Sequence, residues 1–221
     1  MTPSRPAGGV LWDLDGTLID SAEQHYVAWR DTFAQRGRGH TREEFFRGFG
    51  RRNDVILREI LGDRLTPEEA AGVADEKEER YRRLVSKNGL EPLPGATEWL
   101  TRLEEGGFRQ ALATSAPAAN VTVVIEILGF GRFLDATVSA DDVERGKPDP
   151  AVFLLAARRI GVAPERCVVL EDAPAGLEGA RRAGMKSVGI LSTHKPELRA
   201  DIVVPSLTAL PTGAIQQLLG R

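Results

Sequence analysis

The stretch Val10-Leu11-Trp12-Asp13-Leu14-Asp15-Gly16-Thr17-Leu18 decides how this chain is read. Its apolar start reads as a buried strand, and its end carries two carboxylates one residue apart, then a glycine and a hydroxyl. Neighbouring strand side chains alternate between faces. Asp13 and Asp15 therefore point the same way only near the strand's end, with Leu14 turned into the core. Two acids at the carboxyl edge of a central strand are costly for folding and make sense mainly as chemistry. A helix-loop-helix calcium loop needs oxygen ligands at positions one, three and five and glycine at six. Thr17 and Leu18 occupy positions five and six here, so that reading fails. Simple strand-to-turn punctuation fits any Asp-x-Asp-Gly and must be weighed against the rest of the chain.

Outward from this strand, Asp20 to Pro92 contains no convincing strand. Ser21 with Gln24, Thr41 with Glu44, and Thr66 with Glu69 each look like a capping box, the last with Pro67 at the first helical position. Helical spacing fills the intervals, with breaks at 37–39, 48–53 and 62–65. From Gly95 the pattern changes. Helices at 96–105, 118–128, 150–160 and 174–183 alternate with strands at 109–114, 136–139, 166–171, 187–191 and 202–204, and a last helix starts from Leu207. Apolar strands alternating with helices imply a parallel sheet covered on both faces. The first strand, 10–13, has no partner in its own half and should join that sheet. Residues 1–20 and 93–221 are thus expected to form an α/β core, with 21–92 inserted as an all-helical cap. Hinges are expected near Asp20 and at 92–95, and disorder over the first eight residues.

The bulk properties narrow the class. A chain of 221 residues, 42% hydrophobic and 28% charged, suits one or two domains with a real core. A net charge of −3 gives no electrostatic argument for nucleic acid or an anionic membrane. No apolar run approaches the ~20 residues of a membrane span, and the first nine residues lack the apolar core of a secretion signal. A cytoplasmic protein is expected, with a monomer as the default. Cys167, within Cys167-Val168-Val169-Leu170, reads as an inert buried thiol.

In open parallel sheets ligands bind outside the carboxyl ends of the strands. The residues falling there are Asp13 and Asp15, Thr114 and Ser115, Lys147, and Glu171 and Asp172. Each like-charged pair among four such carboxylates costs about 4 kcal/mol at ~4 Å and an effective dielectric of ~20. Lys147 offers one compensating charge, so a divalent cation is the natural resolution. Oxygen-only ligation favours Mg²⁺, and neither the three histidines nor the single cysteine points to zinc. Thr114, Lys147 and the helix N-terminus near Pro117 together suit a phosphate. Taken singly, each has an ordinary reading: Thr114 as a strand cap, Lys147 as a solvated loop residue, Glu171-Asp172 as an N-cap pair.

Taken together, these residues carry a resemblance to the haloacid dehalogenase superfamily of phosphotransferases. Asp13-Leu14-Asp15-Gly16-Thr17 resembles the family's first motif, Thr114-Ser115 its second, Lys147-Pro148 its third, and Glu171-Asp172 with Gly176 and Gly179-Ala180 its fourth. The resemblance spans essentially the whole chain and implies a Rossmann-like parallel sheet with a helical cap over 21–92. It also implies that Asp13 is the nucleophile and Asp15 the general acid and base, the latter with a raised pKa, with Gly16 and Thr17 beside the substrate. Mg²⁺ would be held by Asp13, the Asp15 backbone carbonyl and Asp172, with Glu171 as a further or water-mediated ligand. Lys147 and Thr114 would hold the transferring phosphoryl group.

Within the family, Asp15 favours phosphoryl transfer over dehalogenation, since halide leaves without a proton. Phosphonate cleavage would need a cap lysine as Schiff base. Lys77 and Lys87, on a charged helix (Asp75-Glu76-Lys77-Glu78-Glu79-Arg80), read as solvated. The serious rival is a phosphosugar mutase like β-phosphoglucomutase. His25 would match that enzyme's cap-hinge histidine, and Arg51 or Arg52, with Arg52 aligning slightly better, its phosphate-gripping arginine. An ordinary helix residue is the alternative for His25. Ala116, Pro117 and Ala118 stand where the mutase binds its second phosphate, which favours a phosphatase of small phosphomonoesters, of sugar phosphate or phosphoglycolate type. A non-enzymatic binding protein on the same scaffold would show damaged motifs, and all four are intact. Specificity is expected from Phe46, Phe49, Arg51, Arg52 and Asn53.

Overall fold

The structure, a computed structural model, describes residues 6–62, 65–191 and 197–220. Strands β1 (Gly9–Trp12), β2 (Arg109–Ala113), β3 (Ala136–Val138), β4 (Cys167–Glu171), β5 (Lys186–Ile190) and β6 (Ile202–Val204) form a six-stranded sheet in the order β3-β2-β1-β4-β5-β6. Every neighbouring pair is parallel. The first strand does join the downstream sheet, at its centre: Trp12 lies between Leu112 of β2 and Leu170 of β4.

A strand covered on both faces is apolar throughout rather than alternating, and β1 and β4 are buried at every residue. Val10 and Trp12 pack on one face with residues of α5 (Ala96–Glu105), α6 (Ala118–Leu128) and α9 (Ala214–Leu218). Leu11 packs on the other face with α7 (Ala151–Arg159) and α8 (Pro174–Arg182). The buried amide of Gln110 is satisfied within the core: it accepts from the Trp12 indole at 3.0 Å and donates to the Leu100 carbonyl at 2.8 Å. Cys167 is fully buried, and burial pushes its thiol up to about 12, as expected of an inert cysteine.

Between β1 and β2 come four helices of the inserted segment, α1 (Ala22–Ala34), α2 (Arg42–Gly48), α3 (Asn53–Leu61) and α4 (Pro67–Asn88). They have their own core of Trp29, Phe33, Phe45, Ile56, Leu57 and Val73. The segment leaves and re-enters side by side, because Ile19 bridges Pro92 and the Leu93 amide donates to the Leu18 carbonyl at 2.9 Å. No helix among the described residues is long and apolar enough to cross a membrane.

Three local expectations are corrected. The capping boxes at Thr41 and Thr66 form, but Ser21 makes no side-chain cap because its hydroxyl is used elsewhere. The last helix begins at Ala214, and Leu207–Ala209 is a single 3-10 turn. The expectation of disorder over the first eight residues covers 1–5, which lie outside the described residues. From Pro6 the chain is tied down: Ala7 donates to Gly107, and Arg166 donates to the carbonyls of Pro6 and Ala7.

Candidate active site

Parallel register brings the acids together. Trp12 pairs with Leu170, and Asp13 continues the ladder, its amide donating to the Leu170 carbonyl at 3.0 Å. Glu171 and Asp172 follow on the neighbouring strand, so carboxylate oxygens of Asp13, Glu171 and Asp172 lie within 4.8 Å of one another. Gly16 makes this approach possible. It sits at φ +89°, and a Cβ there would come within 2.2 Å of an Asp172 carboxylate oxygen. Gly176 does the same for Glu171, whose Oε1 would be 1.8 Å from an added Cβ. Glu171 is held in that position through its other oxygen, which accepts from the Ala173 amide at 2.7 Å. Gly176→Ala is accordingly expected to destabilise the protein by about 1–3 kcal/mol, read as a lower thermal midpoint. An unchanged midpoint would mean that Glu171 is free to step aside.

Lys147 enters from the loop before α7 and is 7% exposed. Its ammonium donates to Asp13 Oδ1 at 2.5 Å and to Glu171 Oε1 at 2.7 Å. Burial raises the Asp13 carboxyl to about 7, with Glu171 and Asp15 adding to the rise and Lys147 opposing it. Burial alone would depress the Lys147 ammonium, but Asp13 and Glu171 override it and raise it. One ammonium among three buried carboxylates leaves a net negative site from which water is largely excluded. An oxygen-only donor set with an excess of negative charge fits a hard divalent cation.

Asp15 faces the inserted helices. Its Oδ1 accepts from the Ser21 hydroxyl at 2.5 Å and lies 3.2 Å from His25 Nε2. His25 Nδ1 is 2.8 Å from the Lys77 ammonium. An ammonium only donates, so Nδ1 accepts and the imidazole proton sits on Nε2, aimed at Asp15. The ring is held by stacking on Tyr81 at 3.8 Å and 4°. Burial opposes ionisation of Asp15, but His25, Ser21 and Lys77 outweigh it and lower its carboxyl below the usual range. The expected upward shift is thus reversed, because the cap supplies donors that neighbouring carboxylates alone do not.

Lys77 is also corrected: it is buried, not solvated. It donates to Glu78 Oε1 at 2.8 Å, as does Asn53 at 2.7 Å, while Glu78 Oε2 accepts from Asn120 of α6 at 2.7 Å. Burial would raise the Glu78 carboxyl, yet Lys77 and these hydrogen bonds hold it down to about 2. Lys77 is engaged by both His25 and Glu78. The signal was present: Val73, Lys77, Tyr81 and Val85 repeat at four-residue spacing and are all buried on α4.

Between the inserted helices and the sheet edge lies a cavity of about 50 Å³, bordered by Asp15, His25, Phe49, Arg51, Asn53 and Glu78, with Ser115 and Ala116 on the core side. Thr114 is buried, its hydroxyl accepting from the Ala116 amide at 3.0 Å. The hydroxyls of Thr17 and Ser115 are buried without a hydrogen-bond partner among the described residues. The helix N-terminus near Pro117 is already engaged, since the Ala118 amide donates to Asp141 at 2.9 Å. Arg51 sits at the rim, 2.5 Å from Glu59. The structure does not bring Arg52 to the cavity. Its guanidinium donates to the Val143 carbonyl at 2.9 Å and to those of Ala140 and Glu144 at 3.4 Å, joining inserted segment to core. Phe46 meets Phe45 and Phe49 edge to face and does not border the cavity.

With this geometry in view, residues 8–184 match the family model described as haloacid dehalogenase-like hydrolase. A validoxylamine A 7′-phosphate phosphatase of Streptomyces hygroscopicus subsp. limoneus is 33% identical over 210 residues, 90% of this chain and 93% of its own. The fructose-1-phosphate phosphatase YqaB of Escherichia coli is 32% identical over 82% of this chain and 95% of its own. The crystal structure of β-phosphoglucomutase from Clostridium difficile superposes with a TM-score of 0.86 at 28% identity, covering 96% of this chain and 97% of that one.

Proposed function

Since the chain belongs to the haloacid dehalogenase-like hydrolase family, we propose that it hydrolyses a small phosphomonoester of sugar phosphate or phosphoglycolate type through an aspartyl-phosphate intermediate. It is a phosphoric monoester hydrolase, and its relatives' named activities, on validoxylamine A 7′-phosphate and fructose 1-phosphate, favour a sugar-type monophosphate. The observation that carries the reading is the convergence of Asp13, Glu171 and Asp172 within 4.8 Å, with the Lys147 ammonium between two of them.

Asp13 attacks phosphorus, forming the acyl phosphate as the bond to the leaving oxygen breaks. Lys147 and Thr114 hold the phosphoryl oxygens, and Gly16, Thr17 and Ser115 border them. Asp15 protonates the leaving oxygen and later takes a proton from the attacking water, which releases phosphate and restores Asp13. In the arrangement described, Ser21 and His25 keep Asp15 as a carboxylate, the form needed for the second step. For the first step Asp15 takes up the proton that a monoanionic phosphoester carries and passes it to the leaving oxygen, and the proton it later takes from water leaves with the released phosphate. Asp13, Asp172 and the Asp15 carbonyl, with Glu171 directly or through water, would hold Mg²⁺, which when bound screens the incoming phosphate from the Asp13 carboxylate. Residues 21–92 act as a cap over the core of 1–20 and 93–221, hinged where Ile19 and Leu18 meet Pro92 and Leu93.

A mutase has in its favour Arg51 and His25 bordering the cavity and the likeness to the Clostridium difficile β-phosphoglucomutase. Against it, Ser115 to Ala118 offer no charged side chain to a second phosphate. A Mg²⁺-dependent assay on a phosphoester panel, with β-glucose 1-phosphate followed by NMR, tests the reading. Free phosphate that disappears with a chelator is expected. Clean conversion to glucose 6-phosphate without phosphate release would establish the mutase instead.

A further inference from the structure

Among the described residues, Glu78 is the buried carboxylate that the proposed chemistry leaves unused. It stands on α4 at 5% exposure, borders the cavity together with Ser115 and Ala116, and is tied to α3 and α6 as well as to its own helix. Asn53 of α3 and Lys77 of α4 donate to one oxygen, Asn120 of α6 to the other. A carboxylate has about four acceptor positions, so these three bonds leave one for a hydroxyl.

The lysine and arginine that border this cavity are already matched. The Lys77 ammonium is offset one to one by Glu78 at 2.8 Å. Arg51, a third exposed, is paired with Glu59 at the rim. Asp15 contributes a further negative charge on the core side. An anionic group entering the depth of this cavity meets a fixed carboxylate in a low-dielectric setting, where like charges are strongly unfavourable. A hydroxyl meets acceptors and donors in fixed positions.

We propose that Glu78 sets the class of leaving group, admitting an uncharged, hydroxyl-rich moiety and refusing one that carries a second phosphate or a carboxylate. The proposal rests on the phosphatase reading and deepens it, by choosing polyol and sugar monophosphates over bisphosphates and phosphoglycolate. The side chain acts on binding and not on phosphorus, so its effect belongs in KM and in the selectivity between substrates.

The test compares kcat/KM for hexose and hexitol monophosphates with kcat/KM for fructose 1,6-bisphosphate and phosphoglycolate. Acetyl phosphate, which lacks the polyol, reports on the core chemistry alone. The wild-type enzyme is expected to favour the best monophosphate by roughly tenfold or more, the equivalent of one matched charge contact. Glu78→Gln is expected to shrink that ratio by more than threefold, chiefly through KM for the doubly anionic substrates, whereas Glu78→Asp keeps it near wild type. A wild-type preference for either anionic leaving group overturns the proposal, as does a Gln variant whose ratio moves by less than threefold. Should Glu78→Gln fail to fold, the wild-type ratio decides by itself. Absence of phosphate release even from acetyl phosphate would instead sink the phosphatase reading from which the proposal starts.

Discussion

Replacing Asp13 with asparagine is expected to lower phosphate release by at least about four orders of magnitude, in line with the loss of other catalytic nucleophiles, and to leave the protein folded. The two side chains have nearly the same shape, so the strand end and its ladder bond to Leu170 are preserved. Lys147 keeps its 2.7 Å bond to Glu171. The amide removes one carboxylate from a cluster in which burial already raises Asp13 to about 7, so the thermal midpoint without Mg²⁺ should hold or rise. The stabilisation that added Mg²⁺ gives the wild type should shrink, because one ligand oxygen has lost its charge. Phosphate release, circular dichroism and melting with and without Mg²⁺ separate these effects. A variant that releases phosphate within tenfold of wild type would remove Asp13 from the role of nucleophile.

The two halves of this molecule were unequally legible from sequence. The sheet could be read because fully covered strands are continuous apolar runs, and the ends of such runs mark where polar residues must gather. Asp13, Lys147, Glu171 and Asp172 fall where that rule places polar residues. The inserted helices carry only a four-residue periodicity, which groups Lys77 with Val73, Tyr81 and Val85 but does not show what covers it. Lys77 and Glu78 lie in a run of charges that looks solvated, and their burial depends on α1, α3 and α6 arriving from elsewhere in the chain. Ser21 illustrates the same limit on a smaller scale. Its spacing to Gln24 suits a cap, but Asp15 is a charged acceptor across a turn and takes the hydroxyl instead. Arg51 and Arg52 are adjacent and chemically identical, so sequence spacing alone does not tell them apart. The approach of Arg52 to the carbonyls of Val143 and its neighbours does.

Lys147→Met is expected to harm both stability and activity, for separable reasons. The ammonium is the only cation in hydrogen-bond contact with Asp13 and Glu171 among the described residues. Its side chain is 1% exposed, with the Phe153 ring 5.1 Å away. Removing it strands two buried carboxylates, a change that typically costs about 3–5 kcal/mol and should lower the thermal midpoint by roughly 10 °C in a protein of this size. Millimolar Mg²⁺ should restore part of that loss, since a cation between the carboxylates offsets the same repulsion. Activity should stay down by about three orders of magnitude under the same conditions, as for the loss of a preorganised donor to a charged transition state. Arginine should not rescue it, because its planar fork needs more room than the compact ammonium occupies. Recovery of the midpoint with Mg²⁺ but not of turnover would show that Lys147 serves the phosphoryl group as well as the fold. A variant with an unchanged midpoint and turnover within tenfold of wild type would make Lys147 an ordinary loop lysine.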